Sequence, residues 1–82
     1  MGLLLNGLVM SASPKHRRLL GEAVRGKRRE AGLTQEKLAE KAELSAIFIR
    51  RIERGKESPS MDNLFKIARA LGVRVKDLVA DF

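Results

Sequence analysis

Surface chemistry needs a nucleophile, a titratable pair, a set of metal ligands or a concentration of charge, and this 82-residue chain offers chiefly the last. It has one histidine, His16, no cysteine, no tyrosine and no tryptophan. A lone imidazole makes neither a metal site nor a catalytic pair. Gly21-x4-Gly26-Lys27 imitates a phosphate-binding loop, but Arg28 stands where Ser or Thr is required and no strand precedes it. The inventory therefore predicts a protein that is not an enzyme and needs no cofactor, metal or evident small-molecule ligand. What it does concentrate is cations: Arg50, Arg51, Arg54 and Lys56 within seven residues, just after the apolar run Ala46-Ile47-Phe48-Ile49.

That charge belongs to a larger imbalance. The formal net charge is +7, and Ser11–Lys56 alone holds thirteen basic against six acidic residues, whereas Glu57–Phe82 is balanced at four and four. An excess confined to two-thirds of a chain suits one face turned to a polyanion, although a merely soluble basic surface would show the same numbers. The length allows one domain with a modest core. A composition 44% apolar and 33% charged is that of a folded soluble chain. Without cysteine a reducing cytoplasm is the expected location. No segment approaches the roughly 18–20 apolar residues of a membrane span. The opening "MGLLLNGLVMSAS" places its basic residues after the apolar part, not before it, so no export signal is read there.

The elements that must position these cations follow from periodicity and caps. Residues 1–16 read as an arm and 17–82 as a domain. Pro14 suits the entry to a first helix beginning near Lys15 or Arg18, with Leu20, Val24 and Arg28 on one stripe, ending at Ala31 before Gly32. Thr34 caps a second helix carrying Leu38, Ala39 and Ala42. Ser45 caps a third after a very tight turn. The run at 46–49 does not alternate beyond four residues, so it opens that helix instead of forming a strand; Ile49 and Ile52 face inward and Ile47 and Phe48 stand at least partly outside. Ser60 caps a fourth helix through Met61, Leu64, Ile67, Ala68 and Leu71, and "VRVKDLVADF" predicts a short fifth. Five helices on short loops make an all-α domain.

A helix, a tight turn and a second capped helix at 34–54 is the helix-turn-helix arrangement, in which the second helix presents its N-terminal side chains to base edges of DNA. Two short capped helices are also a common way to build any α domain. The residues narrow this. "LTQEKLAEKAELS" followed by "IFIRRIERGKESPSMDNLFKIARALGV" closely resembles the Cro/cI-type (XRE-like) helix-turn-helix family of phage repressors, restriction-modification controllers and antitoxins. The resemblance spans about residues 18–80 and rests on Thr34-Gln35, Leu38-Ala39, Ile52-Glu53-x-Gly55, Ser58-Pro59-Ser60, Leu64 and Ala70-Leu71-Gly72-Val73.

It implies a compact five-helix, lambda-repressor-like fold with the helix-turn-helix at helices 2 and 3. By position it implies base contacts from Ala46, Ile47, Arg50 and Arg51, and phosphate contacts from Thr34, Gln35, Arg54, Lys56 and Ser60, with Gln35 also buttressing the recognition helix. Arg28 and Glu53 match the family's inter-helix ion pair. Two departures stand out: Glu43 occupies the turn position where the family usually has Gly, and apolar Ala46 and Ile47 replace base-reading amides, leaving hydrogen-bonded readout to the arginines.

The expected function is a sequence-specific regulator of transcription that binds double-stranded DNA as a homodimer on a pseudo-palindrome. The alternative is an antitoxin-type interaction module that neutralises a toxin and regulates its own synthesis. Val75, Leu78, Val79 and Phe82 are expected to supply the dimer seam; the alternative is that all four finish the core, as at least Leu78 is expected to do. In the arm, Asn6-Gly7 between apolar triplets favours a hairpin, with a helix over Leu3–Met10 nearly as good, and Leu3, Leu4, Leu5, Leu8 and Val9 are expected to bury against a neighbouring protomer.

Overall fold

The computed structural model describes residues 13–82; the arm's hairpin-or-helix alternative and the expected burial of Leu3, Leu4, Leu5, Leu8 and Val9 lie outside them. Five helices follow in order: α1 Pro14–Glu30, α2 Gln35–Ala42, α3 Ala46–Glu53, α4 Met61–Leu71 and α5 Val75–Leu78. No strand occurs among the described residues. Helix α1 starts earlier than periodicity alone predicts, because Ser13 caps it and Pro14 fills its first position, where a missing N–H costs nothing. Lys15 and His16, assigned to the arm by sequence, therefore belong to its first turn.

Each of α2, α3 and α4 begins on a hydroxyl that accepts a backbone N–H. Thr34 takes Lys37 N at 3.0 Å, Ser45 takes Phe48 N at 3.0 Å and Ser60 takes Asn63 N at 3.1 Å. A cap of this kind contributes about 1 kcal/mol. The first four helices close on left-handed residues, three of them glycine; the fourth is Glu43, at φ 59°. The turn between α2 and α3 thus keeps its usual left-handed form and Glu43 bears the strain of a Cβ there, at roughly 1–2 kcal/mol.

Helix α3 lies between α1 and α2, α4 packs on α2, and α5 bridges α1 and α4. Leu20 and Val24 of α1, Leu38, Ala39 and Ala42 of α2, Ile49 and Ile52 of α3, Ile67 and Ala68 of α4, and Leu78 of α5 form the core. Phe48 packs against it half-buried, while Ile47 is 65% exposed. Truncating a fully buried Ile49 or Ile52 to Ala would cost about 2–5 kcal/mol.

Gly21 has a packing reason. A Cβ at this position would stand 2.8 Å from the Glu53 carbonyl oxygen and nearer still to that of Ile52. Only glycine lets the backbone of α1 press onto the last carbonyls of α3.

The C-terminal segment departs from expectation. Helix α5 is a single turn, with Asp77 Oδ2 accepting the Arg74 N–H at 2.9 Å. The chain then turns so that the Phe82 ring lies 4.8 Å from His16 at the start of α1.

Candidate nucleic-acid interface

The site is built around α3, beginning with what fixes it. Glu53, in its last turn, has no exposed side-chain surface. Arg28 grips it with a fork: Nε donates to Oε2 at 2.6 Å and Nη2 to Oε1 at 3.0 Å. The remaining Arg28 nitrogen, Nη1, donates to the Leu33 carbonyl at 2.9 Å. Gln35 Nε2 donates to Glu53 Oε1 at 3.0 Å, and Arg25 reaches the same oxygen and the Glu53 carbonyl, each at 3.5 Å. One carboxylate thereby ties together α1, the first residue of α2 and the end of α3.

Burial pushes the Glu53 carboxyl up, but the hydrogen bonds of Arg28 and Gln35, the Arg28 charge and the bond from Arg25 together hold it below the ordinary carboxylate range. The bond to Glu53 also raises Arg28, against the opposing effect of burial. No buried side-chain polar atom lacks a partner among the described residues. Sequence pointed to Arg28 and Glu53; it missed Arg25, whose only signal is its place one turn before Arg28 on the same face of α1.

The other end of α3 is open. Ile47 projects into solvent and Ala46 is half-buried against the core. Arg50 Nη2 sits 3.6 Å from Glu36 Oε2. Arg51 is folded toward the following loop, with Nε 2.9 Å from Glu57 Oε1 and Nη2 donating to the Lys56 carbonyl at 3.1 Å. Both pairs are exposed, so each is held by no more than about 1 kcal/mol and exchanges readily for another anion. Arg54 and Lys56 are exposed beyond the end of the helix. Thr34 and Ser60 use their oxygens as caps, leaving their hydroxyl hydrogens available to an outside acceptor.

The residues of the expected seam have different surroundings. Leu78 is 1% exposed and belongs to the core, and Val75, half-buried, packs against it. Val79 is half-buried. Phe82 is 51% exposed but its ring rests against His16. Val75 also lines a shallow groove with Phe65, Ala68, Val73, Arg69 and Arg74. Phe65, 54% exposed, falls off the buried stripe of α4, and Met61, expected on that stripe, is 57% exposed in its first turn.

Among the described residues no group of three His, Cys, Asp or Glu could hold a metal, and no helix is long and apolar enough to cross a membrane. A short α2, a left-handed turn, a capped α3 and a surrounding frame locked through Glu53 define a helix-turn-helix DNA-binding domain. A helix-turn-helix family model, HTH_3, matches residues 24–78. The chain belongs to this family of DNA-binding transcriptional regulators.

It is 45% identical over 64 residues to control protein C.BamHI of Bacillus amyloliquefaciens, covering 77% of this chain and 79% of that one. It is 40% identical over 62 residues to the immunity repressor protein of Bacillus phage phi105, covering 76% of this chain but only 43% of the longer repressor. Among solved structures, the restriction-modification controller protein C.AhdI of Aeromonas hydrophila aligns with a TM-score of 0.74 at 32% identity, covering 76% of this chain and 94% of that one. The P22 c2 repressor in complex with a synthetic operator aligns with a TM-score of 0.70 at 27% identity, over 73% and 91% of the two chains.

Proposed function

We propose that this regulator reads a pseudo-palindromic operator in double-stranded DNA as a homodimer in the cytoplasm, in the manner of a restriction-modification controller or small repressor. The observation that carries the reading is the asymmetry of α3: its C-terminal end is locked by Glu53, while Ile47, Arg50 and Arg51 line an accessible face. A rigidly anchored helix with open N-terminal side chains is what major-groove readout needs. Ile47 and Ala46 meet thymine methyl groups; Arg51 and Arg50 leave their weak surface pairs to donate to guanine O6 and N7. Thr34, Gln35, Arg54, Lys56 and Ser60 contact phosphates and set the register. Gln35 joins the two tasks, since the amide that reaches Glu53 retains a second N–H for the backbone of the DNA. Support for a controller role comes from the identity to C.BamHI and the likeness to C.AhdI.

The second protomer is reached through Val75, with Val79 and Phe82 at its margin. Because Leu78 is spent on the core, the apolar area comes instead from Phe65 and Val73 in the groove that Val75 lines. Fragments selected from random duplexes should show half-sites roughly one helical turn, about 10 bp, or a multiple of it apart. On that site Arg51→Ala should lose roughly 1–3 kcal/mol and relax one base pair per half-site, whereas Gln35→Ala should weaken all sequences alike. Phe65→Asp should give a folded monomer by sedimentation. Equal loss of specific and random binding in Arg51→Ala would make Arg51 a phosphate contact and overturn its role.

A further inference from the structure

The first turn of α1 packs directly on the loop that leaves α3. A Cβ at Gly55 would stand 3.3 Å from Arg18 Cα, and Gly55 also has a φ of +72°, so both space and conformation call for glycine. Arg17 Nε donates to the Gly55 carbonyl at 3.4 Å. The contact sets "KHRR" at 15–18 beside Arg54 and Lys56, two basic stretches that lie far apart in the chain.

The fold employs some of these cations and leaves others idle. The end of α3 is the negative end of a helix. Its neighbouring carbonyls are served by Arg25 at Glu53 and Arg17 at Gly55, while Arg28 is spent on the Glu53 carboxylate and Arg51 on Glu57. Lys15, Arg18, Arg54 and Lys56 remain. All four are exposed, and among the described residues their side chains make no ion pair or hydrogen bond. Of the carboxylates close by in sequence, Glu53 is buried against Arg28 and Glu57 pairs with Arg51 in the free domain, which leaves Glu22, one turn beyond Arg18. The Arg18 backbone lies against Gly55, which sits between Arg54 and Lys56 in the chain, and cations within a screening length of roughly 8–10 Å act together.

We propose that the first turn of α1, through Lys15 and Arg18, is a second phosphate-contacting segment that extends the track of Arg54 and Lys56 along the DNA backbone, past the reach of α3. The inference rests on the DNA-binding reading above. Its ligand is the phosphodiester backbone and not the bases, because single cations at an exposed helix turn neutralise phosphates whatever the sequence.

The test compares the full chain with Lys15→Gln/Arg18→Gln, and with Lys66→Gln/Lys76→Gln as a control of equal net charge. Affinity for the selected operator duplex is measured across a salt series, alongside hydroxyl-radical footprints. Each lost phosphate contact removes about 0.9 from the slope of log affinity against log salt. The Lys15/Arg18 variant should therefore bind with a slope shallower by roughly 1.8, unchanged base preference and thermal midpoint, and a footprint missing its outermost protected sugars. The control should keep the parent's slope and footprint. If the parent binds steeply and the Lys15/Arg18 variant matches it, the inference falls and the DNA-binding reading stands. An equal drop in the control would reduce the effect to net charge and likewise overturn it. A parent that fails to bind any duplex would remove both.

Discussion

At one end of α3 stands Glu53, a carboxylate without exposed side-chain surface that receives hydrogen bonds from α1 and α2; less than two turns away stands Ile47, 65% exposed. A single eight-residue helix carries both extremes. So short a helix is not stable alone in water, so its position must be imposed from outside. Concentrating that fixation at the C-terminal end frees the N-terminal side chains from any duty to the core. The comparison predicts that substitutions toward Glu53 cost stability, while those toward Ile47 change binding.

The largest effect should come from breaking the anchor. Glu53→Ala leaves Arg28, only 11% exposed at its side chain, without a counter-charge, and loss of one partner from a buried pair costs about 3–5 kcal/mol. Chemical denaturation measures it directly; a loss below about 1 kcal/mol would mean that the pair behaves as an exposed one. The same carboxylate gives a pH signature. Its folded pKa is lowered, so the unfolded chain binds more protons in the acid range. Stability from Glu53 should be complete above the ordinary glutamate pKa of about 4.3 and fall away as pH drops through the lower folded value. In Glu53→Gln this portion of the acid slope should vanish.

Gly21→Ala attacks the same end by another route. The new methyl would meet backbone oxygens of α3, which cannot rotate aside, and crowding of this kind costs roughly 1–3 kcal/mol even though Ala is the better helix former by about 1 kcal/mol. A variant as stable as the parent would show that α1 can slide off α3 freely.

The anchor and the tip were also unequally legible in the sequence. Arg28 showed itself by lying on the apolar stripe of Leu20 and Val24, and Thr34, Ser45 and Ser60 showed the helix starts because a cap is a local event between residues three apart. Gly21 did not, since its reason is a carbonyl more than thirty residues away. The path of the C-terminal segment was hidden for a similar reason. "VRVKDLVADF" has the apolar spacing of a helix, which is enough to send Leu78 to the core, but spacing cannot reveal that the helix stops after one turn and sends Phe82 back to His16. Phe65 was overlooked because the pattern of α4 was already complete without it. Recognition residues are assigned by resemblance, and the fold places Ala46, Ile47, Arg50 and Arg51 on one short helix.

Before the tip, in the turn that leads into α3, stands Glu43, whose effect should be smaller and of opposite sign. Glu43→Gly removes the strain of a left-handed non-glycine, roughly 1–2 kcal/mol, but loosens the unfolded chain by about 0.4–1 kcal/mol. A net gain of about 0.5–1 kcal/mol should appear as a raised thermal midpoint, with base preference untouched because the turn already has the conformation glycine favours. A loss of stability would mean that the Glu43 side chain supports the turn in a way that outweighs its strain.

The smallest stability change belongs to Ile47→Ala, and that smallness is its value. The side chain buries little in the folded domain, so truncation should leave stability within about 0.5 kcal/mol of the parent. Exposed isoleucine nonetheless costs solubility, and nothing in the core requires it here. On DNA it can meet only apolar surface, which in the major groove means the 5-methyl group of thymine. Replacing thymine by uracil at one operator position should therefore weaken the parent and leave Ile47→Ala almost unaffected, since the variant has already lost the same contact. Measured as a double cycle of protein and base, the two losses should fail to add. If they add in full at every thymine of the half-site, Ile47 reads no methyl group, and the open end of α3 is turned toward something other than the floor of the groove.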